Sequence, residues 1–293
     1  LNKFDYFPLE EYVNRITVED FVLEQMEETN KEFDEYLTVL SKCDDYTKIY
    51  YFLEVISKEV KSSQKIEKHY VKNKDILEND CFFTSLQMSH ANIKRLHEVA
   101  SKEKSDYRDN EVRVSAMIDG KEKIYWYGAK PSDVKSFMDD FIKFYKTKSL
   151  SVIDSNPFLK SALAHLLFVR IHPFSDGNGR TARMIHNMKF TESINNIYGM
   201  KLKLCPLNLS QNILLNQFTY VNRIDDIYFD LEHDSNHEIN RWFDFMLNMV
   251  DEQLYYSKMR IPRFKRLVPA FFDKNKEPNN SQIVEEVKKI KIK

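Results

Sequence analysis

The stretch 158-FLKSALAHLLFVRI-171 runs without a break into 172-HPFSDGNGRTAR-183, and the join decides how the rest of the chain reads. The first part is apolar on nearly every side of a helical wheel, the mark of a helix buried at the centre of a domain. Asn156-Pro157 ahead of it supplies an N-cap and a proline at the first helical position. The second part holds two of the chain's five glycines, Gly177 and Gly179, around one Asn. Average usage of roughly 7% would give a chain of this length about twenty glycines. A chain that avoids glycine concentrates it at one turn between two predicted helices.

The residues of that turn share a chemistry. His172 ends a buried helix, and histidine is the side chain suited to accept a proton near neutral pH. Asp176 offers a hard oxygen, and magnesium characteristically takes one or two carboxylates with phosphate oxygens and water in its other positions. Gly177-Asn178-Gly179 allows a turn that brings backbone N–H groups close to a ligand, and the helix that follows adds its own free N–H groups and dipole. At about 100° per residue, Arg180, Arg183 and Asn187 share one face of that helix. Two guanidiniums beside an N–H-rich turn make a polyphosphate cradle, and with a base and a metal carboxylate they describe a phosphate-transfer site. A plain glycine turn with arginines in water explains Gly-Asn-Gly but not the coincidence of His172, Asp176 and two in-phase arginines. No GxxxxGK[ST] is present, and no GxGxxG follows a strand.

Outward from the turn the chain reads mainly as helix. Residues 18–42 and 46–70 have helical periodicity, with Ile49, Phe52, Leu53, Ile56 and Val60 on one face of the second. Helices are also predicted over 80–100, 131–145, 179–195, 207–231 and 236–256. The exception is 111-EVRVSAMIDGKEKIYWY-127, where alternation, an Asp-Gly turn and a second β-prone run predict a hairpin. The polar run 273–282 reads as a linker before a charged tail. No internal repeat is found.

Whole-chain properties narrow the class. Net charge is −1, which argues against a general nucleic-acid binder. The basic runs 260–267 and 288–293 read as a solvated helix face and a tail. Cys43, Cys81 and Cys205 lie far apart and form no CxxC, so neither a disulfide framework nor a zinc site is indicated. No apolar run approaches the ~20 residues of a membrane span. The first residues do not read as a signal peptide, and a reducing cytoplasm is the expected compartment.

The string 172–183 resembles the signature of the Fic family, His-x-Phe-x-(Asp/Glu)-Gly-Asn-Gly-Arg-x-x-Arg, at every defined position. "IKRLHEVA" (93–100) and "YRDNEVRV" (107–114) resemble the family's upstream helix and the approach to its flap. The resemblance divides the chain into an N-terminal helical region (1–84), a Fic domain (85–258) and a C-terminal extension (259–293). It implies a mainly α, Fic-type helical bundle with a β-hairpin flap, and transfer of AMP from ATP to a hydroxyl of a target protein, with self-modification as a further outcome. His172 is then the base, Phe174 the anchor of the loop, and Asp176 the ligand of Mg²⁺. Gly177, Asn178 and Gly179 cradle the phosphates, Arg180 and Arg183 take the β/γ portion, and Asn187 touches the nucleoside. Val112, Arg113 and Val114 in the hairpin hold the target segment as an added edge strand.

Many Fic proteins carry an inhibitory helix, (Ser/Thr)-x-x-x-Glu-(Gly/Asn), whose Glu pairs with the second motif arginine. Ser63 and Glu67 in "SSQKIEK" (62–68) fit the spacing, with Lys68 departing from Gly/Asn. "KDILEN" (74–79) is a second near-match, with Lys74 in place of Ser/Thr. Glu67 is favoured, and the alternative is a solvated Glu-Lys helix face. A carboxylate on Arg183 competes with phosphate for the same fork.

Competing functions are transfer of UMP, phosphocholine or a phosphoryl group, de-AMPylation through Glu67, and a nucleotide-sensing module with suppressed catalysis. Among remaining residues, His165 is expected as an interior histidine and His186 as a solvated one. His90 and His97 make a poor metal pair for want of carboxylates. Trp126 fits either a target contact or the core, and Trp242, Phe243 and Phe245 fit the core.

Overall fold

The computed structural model describes residues 8–67, 86–104, 106–148, 151–202 and 204–271. Lys68, the near-match at 74–79, Cys81, the linker and the charged tail lie outside the described residues. Eleven described α-helices and a two-stranded sheet follow in the order α1 (Leu9–Arg15), α2 (Asp20–Ser41), α3 (Asp45–Ile66), α4 (His90–Ser101), β1 (Arg113–Ile118), β2 (Lys121–Tyr127), α5 (Val134–Lys146), α6 (Val152–Ser155), α7 (Pro157–Ile171), α8 (Asn178–Tyr198), α9 (Leu209–Leu215), α10 (Gln217–His233) and α11 (His237–Phe271). The expected mainly α architecture with one hairpin is the architecture found. No helix among the described residues is long and apolar enough to cross a membrane.

α7 is the axis of the fold. The Asn156 side chain accepts from the N–H groups of Phe158 and Leu159, and Pro157 fills the first helical position. Every residue of α7 is buried, so helices must surround it. α8 packs antiparallel along it, and α5, α6 and α11 close other sides. Trp242 of α11 donates its indole N–H to the Ala162 carbonyl, which ties the long C-terminal helix to this centre. Trp242, Phe243 and Phe245 are core residues, as expected, and so is Trp126, whose ring faces the Arg170 guanidinium.

The hairpin also matches its reading. Asp119 and Gly120 both have positive φ, 51° and 74°, the two-residue turn whose twist suits paired strands. The register runs from Arg113 opposite Tyr127 to Ile118 opposite Lys121, with an irregularity at Val114/Ser115 that leaves Tyr125 as the extra residue.

Several readings need correction. The helix expected over 80–100 starts at His90, where Ser89 caps it by accepting from the Asn92 N–H; residues 86–89 precede it without helix. The helix expected over 207–231 is two, broken at Asn216. His186 is not solvated: it is 3% exposed, stacked on Phe190 and edge-on to His165, because α7 and α8 pack on both sides of it. His90 does meet a carboxylate, Asp139, at 2.8 Å, but His97 faces another residue set, and among the described residues no cluster fit for a metal forms. In the basic run, Arg260 pairs with Glu54 of α3 rather than facing water alone.

Candidate active site

α7 terminates on His172, which adopts the left-handed conformation (φ 54°, ψ 58°). A non-glycine residue holds that conformation only when its surroundings enforce it. Here the enforcement comes from Arg108, in the segment before the hairpin. Its Nε donates to the His172 carbonyl at 2.6 Å, Nη1 to Asn110, and Nη2 to the carbonyls of Ala129 and Ile171. Backbone bonds from Arg108 to Pro173 and from Ala129 to Ile171 complete the seam. Gly128 makes this approach possible: a Cβ there would lie 2.7 Å from Arg108 Nη2 and 2.9 Å from His172 Cβ. Gly128→Ala is therefore expected to cost about 1–3 kcal/mol by overpacking. A thermal melt reads it as a lowered Tm, and an unchanged Tm would show that the seam yields.

The His172 ring is oriented by the same loop. Nδ1 donates to the Val169 carbonyl at 3.0 Å, which fixes the tautomer and leaves Nε2 as an acceptor. Burial pushes the ring pKa down to about 4, so the imidazole is neutral at physiological pH. Behind it, Phe174 is fully buried and stacks on His97 at a centroid distance of 3.8 Å. His97 Nε2 in turn donates to the Asp176 carbonyl at 2.9 Å. Phe174 thus packs between α4 and α7, against His97 and Phe168.

α8 restarts the chain at Asn178, after Gly177 in the left-handed region (φ 77°). The Asn178 side chain turns inward, accepting from the Phe174 N–H and donating to the Phe174 carbonyl. It braces the loop, so only its backbone N–H is left to face a ligand. The N–H groups of the first turn of α8 carry the partial positive charge of a helix start. Asp176 is exposed, and one of its oxygens accepts from Arg180 Nη2 at 3.1 Å. The arginines are not in water: Arg180 and Arg183 are 3% and 2% exposed. Among the described residues Arg180 Nε meets no acceptor, so buried donor capacity is left over at this helix start.

Arg183 is spoken for by α3. Its Nε donates to Ser63 Oγ, and Nη2 donates to the Ser63 carbonyl and to Glu67 Oε1, all at 2.9 Å. The Glu67 carboxylate fills the space a side chain on Gly179 would take, since an added Cβ there would overlap Oε1. Gly179 has ordinary helical geometry, so it is the Glu67 carboxylate over the helix start, not a turn, that leaves no room for a side chain. Glu67 and Asp176 also act electrostatically on His172, which brings base, carboxylates and arginines into one site. Asn187 does not present a free amide: its Nδ2 donates to Glu59 Oε1 at 3.0 Å. Val112, Arg113 and Val114 lead into β1, whose outer edge has no strand neighbour among the described residues.

Three residues of this neighbourhood carry no individual expectation from sequence, Glu59, Arg108 and Gly128, and His97 is read there only as half of a poor metal pair. Gly128 had a signal, because any glycine in so glycine-poor a chain asks for a reason.

Fold and site together define a class: a helical domain around a buried helix that ends on a left-handed histidine, restarts at a glycine-led helix N-terminus, and lies beneath a β-hairpin. Residues 87–188 match the family model described as the Fic/DOC family, so this part of the chain carries a Fic domain. It is 34% identical over 85 residues to "Protein adenylyltransferase Fic" of Drosophila erecta, covering 29% of this chain and 15% of that protein. It is 40% identical over 58 residues to "Protein adenylyltransferase fic-1" of Caenorhabditis elegans, covering 20% of this chain and 11% of that protein. The chain thus spans a small fraction of the relatives' length. Among solved structures, a Fic family protein of Desulfovibrio desulfuricans superposes with a TM-score of 0.56 at 16% identity, over 86% of this chain and 76% of its own. A Fic domain containing signaling protein of Bacteroides thetaiotaomicron gives 0.52 at 13% identity, over 82% and 98%.

Proposed function

We propose that the chain is a protein adenylyltransferase that moves AMP from ATP to a Ser, Thr or Tyr hydroxyl of a target protein, restrained by Glu67. One observation carries the reading: a neutral His172 whose Nε2 is left as an acceptor shares a site with a helix start whose side-chain-free Gly179 and buried arginines suit phosphate once Glu67 withdraws. The names borne by the relatives in Drosophila and Caenorhabditis support the nucleotidyl reaction over other transfers.

In this reading the target hydroxyl gives its proton to His172 Nε2 as its oxygen attacks the α-phosphorus. The bond from the α-phosphorus to the bridging oxygen breaks, and pyrophosphate leaves with the electron pair. The N–H groups of Gly177, Asn178 and Gly179 hold the α-phosphate region. Arg180 and Arg183 hold the leaving group, with charge-assisted bonds that strengthen as negative charge moves onto it. Asp176 is the residue that would hold Mg²⁺. A lone exposed carboxylate fits an ion that keeps most positions for phosphate and water. When bound, that ion neutralises phosphate charge. Val112, Arg113 and Val114 guide a target segment onto the open edge of β1, where backbone bonds hold it without reading its side chains.

Glu67 opposes this arrangement because it occupies Arg183 and the space over Gly179. Asn187 borders the nucleoside subsite with its amide nitrogen held by Glu59.

The test is mass spectrometry of the protein, alone and with cell lysate, after incubation with ATP and Mg²⁺. An AMP adduct on the chain or on a second protein is expected. Nucleotide binding with no adduct, even after removal of Glu67, would replace this reading with a nucleotide-sensing module. An adduct from UTP or CDP-choline but not ATP would replace it with another transfer.

A further inference from the structure

The contacts between α3 and α8 repeat along both helices. Glu59, Ser63 and Glu67 stand four residues apart on one face of α3, and they meet Asn187, Arg183 and the space over Gly179, four residues apart on α8. The two helices run antiparallel with matched period, so one setting of α3 makes all three contacts together. The middle and C-terminal contacts belong to the restraint on Arg183. The Glu59 contact does not, yet it is the most fully bonded of the three. Glu59 Oε1 accepts from Asn187 Nδ2 at 3.0 Å and from Ser210 Oγ at 2.5 Å, and Oε2 accepts from the Ser210 N–H at 2.9 Å. Ser210 is buried in the first turn of α9, so the carboxylate also meets the positive end of that helix.

We propose that Glu59 is a positioning residue that pins α3 against α8 and α9 in the register that carries Glu67 onto Arg183. This rests on the reading above that Glu67 restrains nucleotide use.

The chemistry favours a pin over a general packing contact. A half-buried carboxylate with three donors is satisfied only in one axial and rotational setting, because α3 rises about 1.5 Å and turns about 100° per residue. A slip of α3 by one residue would put Lys58 or Val60 where Glu59 stands, and neither side chain can accept from the Ser210 N–H or the Asn187 amide. The cavity between the helices is lined mainly by apolar side chains such as Val55, Ile56, Val60 and Met188, and the other polar residues α3 turns to it, Ser63 and Gln64, are already bonded to Arg183 and the Ala100 carbonyl. At the C-terminal end the Ile66 carbonyl accepts from Gln217 Nε2, so the last two turns of α3 are held on either side of Ser63 and Glu67 is presented from a fixed base.

The experiment compares ATP affinity and adduct rate in the full chain with Glu59→Ala, Glu67→Gly and the double variant. Glu59→Ala should tighten ATP binding and raise the adduct rate on the order of five-fold, less than Glu67→Gly, and the double variant should match Glu67→Gly. Glu59→Gln should restore restraint, because its oxygen can serve Ser210 while a flipped Asn187 amide accepts from its nitrogen. Hydrogen exchange across 59–67 should quicken in Glu59→Ala and return in Glu59→Gln.

If Glu59→Ala lowers Tm but leaves ATP affinity unchanged while Glu67→Gly raises it, Glu59 is a cap of α9 only and the proposal fails. Additive effects in the double variant would also overturn it, since they make the two residues independent. If Glu67→Gly changes nothing, the restraint itself is absent and the pin goes with it. Should Glu59→Ala not fold, Ser210→Ala removes one donor from the other side and is expected to act in the same direction with smaller size.

Discussion

His172→Ala should reduce AMP-adduct formation by about 10²–10⁴-fold, the usual contribution of a positioned general base, while ATP binding survives within a few-fold. The split follows from geometry. The phosphate donors come from the first turn of α8 and from Arg180 and Arg183, and none of them is held by the imidazole. The main-chain conformation at 172 is held from outside, by Arg108 and the seam to Ala129, so alanine should keep the loop in place. Alanine there pays for a left-handed backbone, so a modest drop in Tm accompanies the loss of rate. An adduct rate within ten-fold of the parent would remove His172 from the role of base.

The pH behaviour separates chemistry from stability. With its pKa near 4, His172 is already in base form at neutral pH, so its protonation contributes no acidic limb until the pH approaches that value. Stability responds earlier. A histidine buried neutral takes up protons in the unfolded chain first, below about pH 6.5, so stability falls as pH falls and keeps falling to the folded pKa. His186 is also pushed down to about 4 by burial, and His165 well below its usual value. For His186 alone the loss by pH 4 is up to about 3 kcal/mol. Activity lost near pH 5 should therefore coincide with a falling Tm, and recover on return to neutral pH where unfolding is reversible.

What could be read in the sequence, and what could not, follows from the range of the interactions. α7 is legible because its cap, its proline and its all-round apolar character are local. The hairpin is legible because Asp119-Gly120 takes two positive φ angles that few other pairs accept. The Glu67–Arg183 contact joins residues 116 apart, and only the resemblance of the two short strings to the Fic family's patterns made it foreseeable. Arg108 lies in a string that points to the flap but not to its own role, and Gly128 lies in none. Their work is to close a seam between three segments, and no helical or strand period marks a residue for that. His186 was misread for a related reason. Its neighbours in sequence give one apolar and one polar side, but α8 is buried by tertiary packing well beyond the face its own pattern defines. The break at Asn216 has no Gly or Pro to announce it. Ser89, by contrast, was a readable cap that the longer apolar run obscured.

Glu67→Gly is expected to raise ATP affinity and adduct formation by about 10–100-fold, from the release of one charge-assisted contact at a buried guanidinium. The protein should tolerate the change. Arg183 keeps Ser63 Oγ and the Ser63 carbonyl, so the buried cation is not left bare. Two effects are combined in the wild-type contact, and they can be separated. The carboxylate charge competes with phosphate for Arg183, and the carboxylate bulk fills the space over Gly179. Glu67→Gln removes the charge and keeps the bulk. If charge dominates, Gln should recover most of the gain, and the gain should shrink at high salt only weakly, because Arg183 is buried and poorly screened. If bulk dominates, Gln should stay near the parent while Gly is fast. Either pattern retains Glu67 as the restraint. Unchanged ATP affinity and adduct rate in both variants would mean that the Arg183 contact only ties α3 to α8, and that the phosphate cradle is regulated elsewhere or not at all.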